Sequence, residues 1–122
     1  MTIAPYPTML RVGSQTVDLT TPVVMTIINV TPDSFYAGSR TASADAIAER
    51  VRQAAEEGAA ILDVGGYSSR PGADDVPPEE ETRRLALALE VIRRETPQLP
   101  VSLDTFRSAV AERIIRDYGP CI

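Results

Sequence analysis

The sequence contains no histidine and no lysine, and all twelve of its cations are arginine. Seventeen carboxylates outnumber them, for a formal net charge of −5. An acidic chain without basic clusters is a poor partner for nucleic acid or for an anionic membrane. An anionic substrate would have to be met by local groups, not by a global field. The single cysteine, Cys121, cannot form an internal disulfide, which suits a reducing cytoplasm. The first residues, Met1 to Pro7, lack the charged-then-apolar order of a secretory signal. No apolar run approaches the roughly 20 residues that span a bilayer. These absences lead to the expectation of a soluble, cytoplasmic protein.

What is present is an ordinary globular composition, 43% hydrophobic and 24% charged over 122 residues, one domain's worth of chain. Residues 10–19 read as a hairpin. Leu10 and Val12, then Val17 and Leu19, alternate with polar residues around a Gly13-Ser14 turn. After Pro22 an apolar strand, a loop and an amphipathic helix recur. The strands are expected at Val23 to Val30, Ala59 to Val64 and Val101 to Leu103. Helix one should follow Ser43 as N-cap, bury Ala44, Ile47, Ala48, Val51, Ala54 and Ala55, and end at Gly58. Helix two should open at Pro77-Pro78 with Glu79, Glu80 and Glu81 at the positive end of its dipole. Its buried face is Leu85, Ala88, Leu89 and Ile92, and Pro97 ends it. Helix three should follow Thr105, bury Phe106, Ala109, Val110 and Ile114, and stop at Gly119-Pro120. Cys121-Ile122 reads as the start of a fourth strand. Alternating strands and helices imply a parallel α/β sheet with right-handed crossovers. An open doubly wound sheet and a (β/α)8 barrel both fit, and neither is complete in this length.

In either architecture ligands bind at the carboxyl ends of the strands. Asn29, Asp63 and Asp104 fall at three such ends, each followed by a loop of unusual composition. They could share one site, or cap their loops through Asx-type hydrogen bonds. The loop from Asn29 to Arg40 carries adjacent aromatics, Phe35 and Tyr36, which either cover a ligand or pack on the rim. The loop from Gly65 to Ala73 combines paired glycines, serines and Arg70, a composition suited to phosphate or carboxylate. Arg70 could instead pair with Asp74 or Asp75.

Three segments resemble dihydropteroate synthases in order and spacing, over nearly the whole chain from Pro22 onward. They are Asn29-Val30-Thr31-Pro32-Asp33-Ser34-Phe35, Asp63-Val64-Gly65-Gly66-Tyr67-Ser68-Ser69-Arg70-Pro71-Gly72-Ala73 and Ser102-Leu103-Asp104-Thr105. The resemblance implies a (β/α)8 TIM barrel of the pterin-binding type. Residues 1–122 would be its N-terminal part: the hairpin of residues 10–19, lying against the barrel, then strands 1–3 with their helices and the start of strand 4 over residues 23–122. It implies condensation of 6-hydroxymethyl-7,8-dihydropterin diphosphate with p-aminobenzoate, with Mg²⁺ as cofactor and sulfonamides as inhibitors. It also implies a homodimer for the full-length enzyme.

By the same resemblance Asn29 helps hold Mg²⁺ near the diphosphate, and Asp104 pairs with the N–H edge of the pterin. Ser69 stands where the family usually has Thr and keeps a hydroxyl for the substrate. Arg70 and Pro71 belong to one loop over the p-aminobenzoate pocket, and Phe35 to the other. Asp63 stands behind these contacts. Two positions depart from the family: Ala37 where an Asp would meet Arg70, and Tyr67 where the family has Glu. The family's Lys and terminal Arg-x-His have no counterpart in this chain. The competing expectations are the pterin-binding barrel of a methyltetrahydrofolate–corrinoid methyltransferase and a non-catalytic fragment. A fragment would be inactive and would self-associate through open strand edges.

Overall fold

The computed structural model describes residues 8–30, 40–66 and 76–122, with residues 40–42 described by backbone alone. A hairpin comes first, β1 (Met9–Val12) and β2 (Gln15–Asp18), paired antiparallel with Val12 opposite Gln15. Gly13 has φ 62° and no described non-glycine residue has positive φ, so the two-residue turn is positive only at its first position. That is the type II′ hairpin turn, which glycine occupies without steric cost. Val12 and Val17 are buried, whereas Leu19 lies beyond the strand and is exposed.

Three βα units follow: β3 (Met25–Asn29) and α1 (Arg40–Glu56), β4 (Ile61–Gly65) and α2 (Pro78–Glu95), then β5 (Val101–Asp104) and α3 (Ser108–Tyr118). The strands form a parallel sheet in the order β3-β4-β5. Ile122 N–H donates to the Val101 carbonyl at 2.9 Å, and Leu103 N–H donates to the Ile122 carbonyl at 3.0 Å. A fourth parallel neighbour therefore starts beside β5 at Ile122, as the apolar Cys121-Ile122 pair predicts.

The sheet has two unlike faces. Thr26, Ile28, Leu62, Val64, Val101 and Leu103 share the face toward the helices, by register. Ile28, Leu62, Val64 and Val101 form one core with Val51 of α1, Leu85, Ala88, Leu89 and Ile92 of α2, and Val110 and Ile114 of α3. Each fully buried Leu or Ile there contributes roughly 1.5–3 kcal/mol. The other face, carrying Met25 and Ile27 of β3, has no helix on it among the described residues, and these two side chains are 50% and 54% exposed. Val30 N–H donates to Gly65 at 2.8 Å, so the alternate residues Ile27 and Asn29 turn their backbone groups to the open edge of β3. Arg50 of α1 reaches round to donate to the Ile27 carbonyl there at 3.3 Å.

Helix ends follow the local chemistry. At the end of α1, Ala59 N–H donates to Ala54 and Gly58 N–H to Ala55, with Gly58 at φ 92°. This is the Schellman arrangement, and the buried Ala54 and Ala59 supply its apolar contact. Proline opens α2 at both Pro77 and Pro78. Gly119, at φ 94°, ends α3 and donates to Ile115.

The structure corrects several sequence expectations. Helix α1 starts at Arg40, ahead of Ser43. Strand β3 starts at Met25, not Val23, and β4 at Ile61, not Ala59, because the residues before them serve as connections. Helix α3 starts at Ser108 with Arg107 as N-cap residue. Thr105 caps a turn instead: its hydroxyl oxygen accepts the Arg107 N–H at 3.2 Å. Phe106 therefore precedes the helix and is 69% exposed, and Ala109 is exposed too. Leu103 shares the helix-facing side of the sheet with Ile28 and Val64 and packs against the core.

The hairpin sits at the amino-terminal end of the strands. Gln15 Nε2 donates to the Pro97 carbonyl in the α2–β5 connection at 3.2 Å. A Cβ on Gly13 would come 3.0 Å from Pro120, just before the fourth strand start. The carboxyl ends of the strands lie on the opposite side. Among the described residues no helix is long and apolar enough to cross a membrane.

Candidate functional site

Strand register decides which polar residues meet. Asn29, Gly65 and Asp104 are aligned across β3, β4 and β5, at the last position of each strand. Ile27, Asp63 and Ser102 form the row beneath. Both rows lie on the face that the helices leave open, so Asn29, Asp63 and Asp104 share one side. With strands about 4.8 Å apart, Asn29 and Asp104 stand roughly 10 Å from each other, across Gly65.

A Cβ on Gly65 would lie 3.5 Å from Asp104 Oδ2 and 3.6 Å from Asp104 Cβ, ordinary van der Waals contact, so the Asp104 side chain stands directly beside Gly65. Asp104 and Asn29 are exposed and Asp63 is half-buried. Among the described residues nothing donates a hydrogen bond to the Asp104 carboxylate. A carboxylate with no partner among the described residues has both oxygens open, as far as those residues go, to a donor pair on a ligand. This finding disfavours the alternative in which Asp104 caps its own loop.

Phe35, Ser69, Arg70 and Pro71 lie outside the described residues, as do Ala37 and Tyr67. The two strand-end loops are therefore represented only by their edges. Gly66 is buried, and its carbonyl accepts from Arg84 Nη1 at 3.3 Å. A Cβ on Gly66 would approach Arg84 Cβ and the Glu81 carbonyl to 3.3 Å, so α2 packs directly on the backbone where β4 ends.

Sequence reasoning passed over the side chains that hold these ends in place. Glu81 was expected to serve the helix dipole, yet it is wholly buried and pairs with Arg107 at 2.9 Å. Its place on the stripe that continues through Leu85, Ala88 and Ile92 was the available signal. Its neighbour Glu80 accepts from Arg83 at 2.8 and 2.6 Å and from Arg84 at 3.0 Å. The Arg83 hydrogen bonds, followed by those of Arg84 and opposed by partial burial, lower the Glu80 pKa from 4.5 to about 2.

Residues 25–122 match the model of the pterin binding enzyme family, which is most of the chain. The chain belongs to that family. It is 43% identical over 93 residues to the folic acid synthesis protein fol1 of Schizosaccharomyces pombe, covering 76% of this chain and 13% of that one. It is 39% identical over 94 residues to the dihydropteroate synthase of Bacillus subtilis, covering 77% and 33%. Among solved structures it is similar to Xanthomonas albilineans dihydropteroate synthase with 4-aminobenzoic acid. That likeness has a TM-score of 0.78 and 43% identity, over 89% of this chain and 40% of that one. The chain thus spans about a third of the length of the bacterial relative. The hairpin and three βα units described above are the corresponding part of a pterin-binding barrel, which decides between the two α/β architectures in favour of the barrel.

Among the described residues there is no cluster of three or more Asp, Glu, Cys or His side chains able to hold a metal. On the open face the Asn29 amide stands on the same side as Asp63 and Asp104. An amide oxygen is a hard donor that suits Mg²⁺, which retains waters and takes most other ligands from a substrate's phosphates.

Proposed function

We propose that the complete gene product carrying this chain is a dihydropteroate synthase. It would condense 6-hydroxymethyl-7,8-dihydropterin diphosphate with p-aminobenzoate, giving 7,8-dihydropteroate and pyrophosphate. The observation that carries the proposal is the aligned row Asn29–Gly65–Asp104 at the strand ends, in a chain of the pterin binding enzyme family. In the reaction the C–O bond to diphosphate breaks, the arylamine nitrogen forms the new C–N bond, and that nitrogen loses a proton. The pterin needs a fixed orientation while its methylene carbon becomes cationic.

Asp104 serves that need by accepting the pterin's parallel N–H donors, a bidentate charged contact that is strong and directional. Gly65 keeps the floor between Asp104 and Asn29 free for the ring. Asn29 would hold Mg²⁺, which supplies charge neutralisation of the diphosphate when bound. Asp63, one row deeper, supports this floor. Ser69 and Arg70 would bind substrate from the loop after β4, with Pro71 and Phe35 shaping the p-aminobenzoate pocket. Sulfonamides would compete for that pocket. The working enzyme would be a homodimer in the cytoplasm.

The test is pyrophosphate release by the complete gene product, given the pterin diphosphate, p-aminobenzoate and Mg²⁺. Release that requires both organic substrates is expected. Absence of release, with methyl transfer from a methyltetrahydrofolate to a corrinoid instead, would overturn the proposal.

A further inference from the structure

The mechanism above leaves one buried ionic contact without a role. Glu81 is fully buried in the first turn of α2. Its Oε1 accepts from Arg107 Nη1 at 2.9 Å, and the same nitrogen donates to the Val76 carbonyl at 2.6 Å. Its Oε2 has no hydrogen-bond partner. Phe106 lays its ring 4.7 Å from the Arg107 guanidinium carbon. As a source of stability alone this is a poor choice. Burying two charges is unfavourable, one oxygen stays bare, and an apolar pair would serve as well. What the pair does provide is a fixed distance between elements.

Those elements converge on Asp104. Arg107 stands three residues after Asp104, and its N–H closes the turn onto Thr105. The turn that follows β5 is thereby bolted to α2. Helix α2 in turn holds the end of β4, through Arg84 on the Gly66 carbonyl and through close packing of Gly66 on Glu81 and Leu85. The Asp104 carboxylate lies over Gly65, beside that anchored point. One helix end therefore sets both sides of the gap in which the carboxylate sits.

We propose that Arg107 and Glu81 are positioning residues that hold the Asp104 carboxylate in its ligand-binding orientation; this rests on the reading of Asp104 as the pterin acceptor. Neither residue touches substrate. The test is calorimetry of 6-hydroxymethyl-7,8-dihydropterin binding to the complete gene product, in a double-mutant cycle of Arg107→Met with Asp104→Asn. Arg107→Met is expected to weaken binding about tenfold in the wild-type background and less than twofold in the Asp104→Asn background, because the group it positions is already impaired. Arg107→Lys, which can still reach Glu81, should restore affinity to within threefold of wild type. If Arg107→Met does not fold, Glu81→Gln, nearly isosteric and uncharged, takes its place in the same cycle. Unchanged affinity in the folded variant, or an equal loss in both backgrounds, would overturn the inference. A wild-type protein that binds no pterin would instead overturn the proposed function itself.

Discussion

Replacing Asp104 by Asn separates binding from stability more cleanly than any other change at this site. The carboxylate is exposed, and among the described residues it accepts no hydrogen bond. No contact with a described residue is lost with it, so stability should shift by less than about 0.5 kcal/mol. Asn is nearly isosteric, so the clearance above Gly65 is kept. The effect on pterin binding is different. One of the two acceptors becomes an NH₂ group, which meets a donor, and the negative charge disappears. A charge-assisted hydrogen bond is worth roughly 1.5–3 kcal/mol. At about 1.4 kcal/mol per decade that is a loss of about 12- to 150-fold in affinity. Calorimetry with 6-hydroxymethyl-7,8-dihydropterin on the complete gene product, beside a thermal melt, reads both quantities. Unchanged affinity would refute the role given to Asp104. A melt lowered by many degrees would refute the claim that its carboxylate is free of structural duties.

Asn29→Ala should lower turnover while leaving the affinity for a pterin without diphosphate within threefold; an equal loss for both ligands would make Asn29 a structural residue. Glu80 has its folded pKa lowered to about 2 from 4.5, so its contribution to stability is complete above about pH 4.5 and is lost as the pH falls toward 2. Glu80→Gln should therefore cost up to about 1 kcal/mol at neutral pH, as expected of a partly exposed pair. The two melting curves should converge by pH 2; a constant offset across that range would show that the Glu80 charge contributes nothing. The 122-residue chain on its own should self-associate, since Met25 and Ile27 are half-exposed beside an open strand edge. Light scattering behind size-exclusion chromatography checks this, and a monodisperse monomer with a cooperative melt would contradict it.

The sequence made the helix-facing half of this structure readable because periodicity reports burial directly. Leu85, Ala88, Leu89 and Ile92 recur at helical spacing and are all buried. The continuous apolar run at β3 was less informative. A strand buried on one face and apolar on both gives no alternation, so Ile27 and Ile28 look alike in sequence though one is exposed and the other buried. Phe106 misled for the opposite reason. It continues the spacing of Val110 and Ile114, but the Thr105 turn intervenes before the helix begins. Asn29 and Asp104 could be found as strand ends, and the face they share with Asp63 follows from parallel register; Asp63 itself is not a strand end, because β4 runs on two residues to Gly65. The partnership of Glu81 with Arg107 spans 26 residues of sequence, and no local pattern encodes a contact between two different helix starts.

The two unlike faces of the sheet have a consequence for how this chain tolerates change. Side chains alternate along a strand, so immediate neighbours answer to different demands. Ile28 is packed against helices while Asn29 stands on the open face, and Leu103 and Asp104 divide in the same way. Exchange at one position of each pair is limited by folding, and at the next by ligand chemistry. Under the proposed function, hydrophobic drift of similar volume at Ile28 or Leu103 would leave the chemistry untouched, whereas Asn29 and Asp104 would have no such freedom even though water reaches them. Within these strands, accessibility and permissiveness run in opposite directions.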